Sequence, residues 1–554
     1  MARFFLFPAA IFPLPLFADS RYNIIYKGTL LKEDRQMTPE LKKKIGQMLS
    51  AGFPSPQVDE QAIALARDYA VGNYYLFSRN IISAKQTCDL CEALSSLAYE
   101  YNGVAPFIGI DQEGGAVSRI VEGASLIPGA MALAASPDAD IYQAGKNCAQ
   151  VLTALGVTSP SSPVLDVNME PLNPIIGARS FGDVPETVAK LGTQLMLGLM
   201  DGGQIATVKH YPGHGNVKSD SHLGVPVNDT PRDQLDATEW LPFKKAFALG
   251  APALMTSHVL YSEVDPENPA TLSKTIMTDI LRGEQGFTGL VVTDCMEMDA
   301  IRKTYGEGEG AVRAVEAGCD LLTFSHTLEA VSQAAEALYA AVDSGRITEA
   351  RIDASYNRIM ALKKKHGLLT PPVIDRERAR KLADDPEKNA LHQQISRRAV
   401  TLLQEEGGLA ALKAAKRPAF FAPPSFALTG AEDQKTNPLS FAKIAAAHFG
   451  GQCVVMPLNE YSEEMAAAVA GDWDVAVIGL YNARFRDGQI KTLEALKATG
   501  KPVIVLLLGA PYDAPLAGKC TTLIAVHEYT NLSVRSVLSA LCEGTFEGVM
   551  PVKL

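Results

Sequence analysis

Residues 289–294 read G-L-V-V-T-D. Leu290 to Thr293 form a short apolar, β-branched run of the kind that is buried on both faces in a parallel sheet, and the run ends on a carboxylate, Asp294. The same pattern recurs along the chain. Phe107–Ile110 ends at Asp111, Val164–Val167 at Asn168, and Ile205–Val208 at Lys209 and His210. Ala253–Thr256 ends at Ser257 and His258, Leu321–Phe324 ends at Ser325, and Tyr74–Phe77 opens the series. Longer stretches of helical periodicity separate these runs from about residue 38 to 366. Repeated βα units with polar residues just past each strand predict a (β/α)8, TIM-like barrel, because there the C-terminal strand ends share one rim. A doubly wound open sheet would give a similar rhythm, usually with fewer units.

Working outward, Pro371 and Pro372 follow the last helical stretch, and residues 375–388 are densely charged. Residues 38–370 are therefore read as the barrel, 371–390 as a linker and 391–554 as a second, smaller α/β domain. In that domain a helix is expected over Leu391–Gln404. Strands are expected at Ala419–Ala422, Cys453–Met456, Val475–Gly479, Val503–Leu508 and Leu523–Val526. A chain of 554 residues has ample length for both units. At the other end, Arg3 and an apolar stretch from Phe4 to Phe17 outline a signal peptide over residues 1–18, interrupted by Pro8, Pro13 and Pro15. That outline predicts a periplasmic or secreted protein; a start at Met37 would instead predict a cytoplasmic one. No later apolar run is long enough to span a bilayer.

With 51 Lys plus Arg against 62 Asp plus Glu, the formal charge is −11, which argues against nucleic acid as a partner. The eight cysteines lack the regular spacing of a disulfide framework. Cys88-x-x-Cys91 has no second pair nearby and lies in a helical pattern, so buried or idle thiols are preferred to a redox or zinc role.

The densest chemical signal is K-H-Y-P-G-H-G-N-V-K-S-D-S-H, Lys209 to His222, where three of the nine histidines fall. Asp220 and His222 are two apart, so on an extended backbone both point the same way and the carboxylate can polarise the imidazole for acid/base work. A plain surface loop is the competing reading. His210, His214 and His222 match no compact zinc pattern, and no metal is expected. Asp294 stands where a rim carboxylate can attack an anomeric carbon, though strand-end aspartates also cap helices. Asp111 and Arg119, in D-Q-E-G-G-A-V-S-R, suit recognition of sugar hydroxyls or form a structural ion pair, and Arg179 in R-S-F-G adds a second guanidinium. Gly306 to Gly310, G-E-G-E-G, lacks the lysine of a phosphate loop and reads as a helix start.

Together these motifs resemble the glycoside hydrolase family 3 β-N-acetylglucosaminidases of the two-domain bacterial type, over roughly residues 38–554. The resemblance rests on D-Q-E-G-G-x-V-x-R at Asp111–Arg119, R-S-F-G at Arg179–Gly182, K-H-Y-P-G-H-G with D-S-H at Asp220–His222, and T-D-x-x-E-M at Thr293–Met298. It implies a barrel carrying the site and an α/β sandwich behind it. It further implies Asp294 as nucleophile, His222 as acid/base with Asp220 as its partner, and Asp111, Arg119, Arg179, Lys209 and His210 holding the terminal sugar. The implied reaction is hydrolysis of a terminal β-linked N-acetylglucosamine from peptidoglycan-derived muropeptides, by a monomer without a cofactor. Some relatives suggest phosphate as an alternative acceptor. A family-3 β-glucosidase or other exo-glycosidase, and a non-catalytic muropeptide-binding protein, are the competing readings. Two departures stand out: Asn216 and Cys295 occupy positions where many relatives carry Asp.

Overall fold

In the computed structural model, which describes residues 37–121, 126–218, 224–427, 432 and 439–554, eight short strands form a parallel sheet. They are β1 (Leu49–Ala51), β2 (Asn73–Leu76), β3 (Ile108–Ile110), β4 (Ser159–Pro160), β5 (Thr207–Tyr211), β6 (Ala253–Thr256), β7 (Leu290–Cys295) and β8 (Leu321–Phe324). The hydrogen-bonded order is β4-β3-β2-β1-β8-β7-β6-β5. Each strand thus lies beside its sequence neighbour, as short βα connections favour. The two ends of this order meet where Leu165 N donates to Lys209 O at 2.6 Å and Lys209 N donates to Pro163 O at 3.1 Å, bringing the sheet round into a nearly closed barrel. The expected leader at residues 1–18 lies outside the described residues.

Two strands differ from expectation. The fourth is expected at Val164–Val167, yet the ladder to β3 runs through Ser159 and Pro160, and Val164 makes only a single bridge, to Lys209. Pro160 and Pro163 have no N–H to donate, so the ladder is interrupted between the two pairings. β1 has only three residues straight after a helix, too few for periodicity to register.

Capping fixes the outer helices. Ser83 caps Ala84–Asn102 through Gln86 N, with Gly103 at φ 76° ending it, and Cys88 and Cys91 are both buried along its inner side. Thr327 caps Leu328–Asp343 and Thr348 caps Glu349–Lys365 by the same side-chain acceptance. The G-E-G-E-G stretch lies inside Asp299–Ala317, which breaks at Gly306, φ 74°. Residues 371–390 are largely helical. Asp375 caps Arg376–Ala383, and Ala379 and Ala383 are buried in the barrel's core.

The second sheet has six strands: β9 (Thr401–Glu405), β10 (Pro418–Ala422), β11 (Gln452–Val455), β12 (Val475–Leu480), β13 (Val503–Leu507) and β14 (Thr522–Ala525), in the order β9-β14-β13-β12-β10-β11. Alternation along its strands splits two cores. Phe420, Val477 and Leu506 face one, and Phe421, Ile478 and Val505 face the other. Helices cover both faces, giving an α/β sandwich. The helix expected over Leu391–Gln404 runs instead from Pro386 to Ala399, and Thr401–Glu405 pairs antiparallel with β14. Beyond the last helix, Asn531–Glu543, the chain turns back over the barrel. Val549 N donates to Ala135 O at 2.9 Å, and Lys553 N donates to Asp183 Oδ2 at 2.8 Å. No helix of the described residues is long and apolar enough to cross a membrane.

Candidate active site

At the C-terminal strand ends lies a cavity of about 430 Å³, lined among others by Asp111, Arg119, Arg179, Lys209, His210 and Asp294. That volume falls in the range of small-ligand sites. Asp220 and His222 lie outside the described residues.

The cavity's charge is organised around two carboxylates, the partly buried Asp111 and the buried Glu113. Asp111, just past β3, receives Lys209 Nζ at 2.8 Å on Oδ1 and Arg119 Nη2 at 3.0 Å on Oδ2. The Tyr75 hydroxyl donates to the same Oδ1 at 2.9 Å. Tyr75 reaches it because its neighbour across the β2–β3 pair is Gly109, where a Cβ would stand 2.7 Å from the tyrosine ring. Glu113 receives Lys209 Nζ at 2.6 Å and a bidentate pair from Arg179, Nε at 2.9 Å and Nη2 at 2.8 Å. Burial works against ionisation of both carboxyls, but Lys209 and Arg119 hold Asp111 well below the usual range. Arg179 and Lys209 likewise hold Glu113 at about 2. Burial also opposes the charge on Lys209, yet Asp111 and Glu113 raise its pKa. The cluster is therefore fully ionised near neutral pH and presents fixed donors and acceptors.

Glu113 was not singled out in the sequence, although it lies within the D-Q-E-G-G stretch. Asp166 is a second such residue. It is fully buried and accepts from His210 N, from His210 Nδ1 at 2.7 Å and from His214 N at 2.7 Å. This orients the His210 ring so that Nε2 lies 3.4 Å from Arg179 Nη2. Its signal was a lone carboxylate inside the apolar run V-L-D-V. Burial and the neighbouring His210 push His214 down to about 4, so its ring is neutral at pH 7.

The P-G-H-G turn has a steric basis. A Cβ on Gly215 would stand 1.8 Å from Val167 O, and Gly213 adopts φ 143° with its carbonyl accepting from Tyr261 at 2.7 Å. Next to it, Asn216 donates to Thr230 Oγ1 at 3.0 Å and stands 3.5 Å from the buried Glu239 Oε1. An amide fits there because an aspartate would set two carboxylates against each other.

Asp294, the last residue but one of β7, lines the same cavity, its Oδ1 accepting from Cys295 N at 2.7 Å. Cys295 O accepts from His258 Nε2 at 3.0 Å, and burial pushes the Cys295 thiol up to about 12, so it stays neutral. Glu297 accepts from His326 N at 2.7 Å and from Thr327 N at 3.1 Å, fixing the loop after β8 at the cavity mouth. Among the described residues no group of three or more His, Cys, Asp or Glu side chains is arranged to hold a metal ion.

Comparison with known proteins accords with this geometry. Residues 40–362 match the model of the glycosyl hydrolase family 3 N-terminal domain. The structure of a glycoside hydrolase family 3 β-N-acetylglucosaminidase from Paenibacillus sp. str. FPU-7 superposes with a TM-score of 0.85 at 36% identity, covering 93% of this chain and 99% of that one. β-Hexosaminidase A of Pseudoalteromonas piscicida is 30% identical over 404 residues, 69% of this chain and 67% of that protein. The β-hexosaminidase of Alkalilimnicola ehrlichii is 36% identical over 290 residues, 51% of this chain and 82% of that protein. A rim of ionised sugar-sized chemistry on a (β/α)8 barrel, a sandwich behind it and this family match lead to one conclusion: the chain belongs to glycosyl hydrolase family 3.

Proposed function

We propose that the protein is a retaining exo-β-N-acetylglucosaminidase, with Asp294 as nucleophile and His222 as acid/base oriented by Asp220. The observation that carries this reading is the ionised cluster of Asp111, Glu113, Arg119, Arg179 and Lys209 sharing one cavity of sugar size with Asp294. The names of the Paenibacillus, Pseudoalteromonas and Alkalilimnicola relatives support the choice of sugar.

In the first step protonated His222 gives its proton to the glycosidic oxygen while the Asp294 carboxylate attacks C1, leaving a glycosyl ester and an alcohol. In the second, neutral His222 takes a proton from water, the oxygen attacks C1 and the Asp294 carboxylate departs. Two inversions give net retention. Asp111, Arg119, Arg179, Lys209 and His210 hold the ring hydroxyls. The charges of Asp111, Arg179 and Lys209 are already fixed before substrate arrives, so the sugar meets a preformed site. We take the natural substrate to be a muropeptide fragment of peptidoglycan, the acting species to be a monomer, and residues 1–18 to be an export signal.

The test compares rates on aryl β-N-acetylglucosaminide and aryl β-glucoside for the unmodified protein, His222→Ala and Asp294→Ala. Strong preference for the acetamido sugar, collapse of both variants and a β-configured first product are expected. Near-normal turnover by Asp294→Ala would overturn the nucleophile, and preference for glucose would overturn the sugar.

A further inference from the structure

Behind the sugar cavity lies a second, smaller one of about 50 Å³ between barrel and sandwich, and Glu113, Ile175 and Arg179 line both. The Glu113–Arg179 ion pair is thus a partition with substrate space on one side and the second domain on the other. Two side chains of the second domain press on the loops that carry it. Tyr512 accepts from Asn168 Nδ2 at 2.8 Å, and Asn168 Oδ1 accepts from Gly177 N at 3.0 Å. Gly177 opens the single helical turn Gly177–Arg179. Glu528 Oε2 accepts from Gly129 N at 2.6 Å, and a Cβ on Gly115, two residues past Glu113, would stand 2.8 Å from that oxygen.

Tyr512 is itself held firmly. Its neighbour Asp513 accepts from Ala483 N at 2.7 Å and from Arg484 N at 3.1 Å, tying the loop after β13 to the loop after β12. Its ring packs with Met131, Ala510 and Val552. A rigid donor–acceptor chain therefore runs from the sandwich through Asn168 to the backbone of the turn ending in Arg179. Precise sugar binding needs such support, because a site held loosely by about 1 Å loses much of its effect.

We infer that the second domain acts as a positioning element for the sugar site, with Tyr512 and Glu528 as positioning residues that set the Arg179 and Glu113 side chains. The inference rests on the reading of Arg179 as a sugar-binding group. A group that holds ring hydroxyls, away from the reacting atoms, contributes alike to ground-state and transition-state binding, so loosening Arg179 in that role raises KM and spares kcat.

The experiment uses the full chain carrying Tyr512→Phe, Arg179→Ala and both together, with Glu528→Gln as an independent second variant. Phe keeps the ring packing and removes only the hydroxyl, and melting curves check folding. Tyr512→Phe is expected to raise KM about five-fold with kcat within about two-fold, the effect of one lost hydrogen bond. In the Arg179→Ala background the same change is expected to move KM by less than about two-fold, since its route is already cut. Glu528→Gln is expected to raise KM in the same sense. An unchanged KM for both variants, a kcat that falls in step, or a full five-fold effect in the Arg179→Ala background overturns the inference. Kinetics are measured on whichever aryl β-glycoside the unmodified chain turns over, so a wrong sugar assignment changes the substrate and leaves the coupling readable. If no glycoside is turned over, the functional reading fails and the same coupling is read in the Kd for N-acetylglucosamine.

Discussion

Glu113→Gln replaces a carboxylate that binds the buried Lys209 and the largely buried Arg179 with an amide of nearly equal shape, and its consequence follows from the ion pairs. Burial opposes the Glu113 charge, but Arg179 and Lys209 prevail and hold its pKa at about 2 against an ordinary 4.5. That difference corresponds to about 3 kcal/mol of folding free energy from the ionised form. The figure agrees with the ~3–5 kcal/mol typical of breaking a buried pair by removing one partner. Because the folded value lies below the unfolded one, the contribution is complete above about pH 5 and is lost as pH falls through about 2. The gap between wild type and Glu113→Gln should therefore be about 3 kcal/mol at pH 7 and narrow by about 2 kcal/mol at pH 3. The chain has two tryptophans, Trp240 buried in the barrel and Trp473 in the sandwich. Urea unfolding followed by fluorescence in a Trp473→Phe background then reports the barrel alone. Equal midpoints at pH 7, or a gap that stays constant down to pH 3, would refute the reasoning.

Gly109→Ala drives a methyl into the Tyr75 ring and displaces its hydroxyl from Asp111; KM should rise about five-fold, with a stability loss of about 1–3 kcal/mol. Kinetics and melting measured together check it, and a normal KM would show that Tyr75 does not brace Asp111. Asp320 lies just before β8, at the far end of the barrel, fully buried, and accepts from Arg282 at 2.6 Å, Ser355 at 2.7 Å and Arg358 at 3.0 Å. Asp320→Ala should destabilise the barrel by about 3–5 kcal/mol while the folded fraction keeps its kcat; urea midpoints and kcat per folded molecule decide the matter. Asn216→Asp sets a second carboxylate beside Glu239 and should cost about 1–3 kcal/mol at pH 7, a loss that shrinks in melts run at lower pH as the new group protonates.

The barrel was legible because parallel strands buried on both faces leave continuous apolar runs, and their C-terminal polar residues mark one rim. Where reading failed, the deciding partner was distant or the ladder was broken. Prolines 160 and 163 moved the fourth strand's pairing off its most apolar residues. Thr401–Glu405 continues a helical pattern locally, and only its pairing with Thr522–Ala525, more than a hundred residues away, makes it a strand. The same holds in the site. Asp111, Arg119, Arg179, Lys209, His210 and Asp294 carried motif signals and share one cavity. Asp166 carried no motif, only its place as a lone carboxylate in an apolar run, because its meaning comes from His210, 44 residues later.

The strap over residues 549–553 also bears on when the enzyme becomes competent. Lys553 grips Asp183, in the loop that follows the R-S-F-G motif, from 370 residues further along the chain. A ribosome adding about 5–20 residues per second takes roughly 20–70 s to cover that distance. Throughout that interval the nascent barrel holds the loop after Arg179 without its clasp, which forms only once residues 549–553 have been made. Synthesis itself thus delays the finished pocket, and a chain cut short anywhere in the sandwich leaves the loop unclasped however well the barrel has folded.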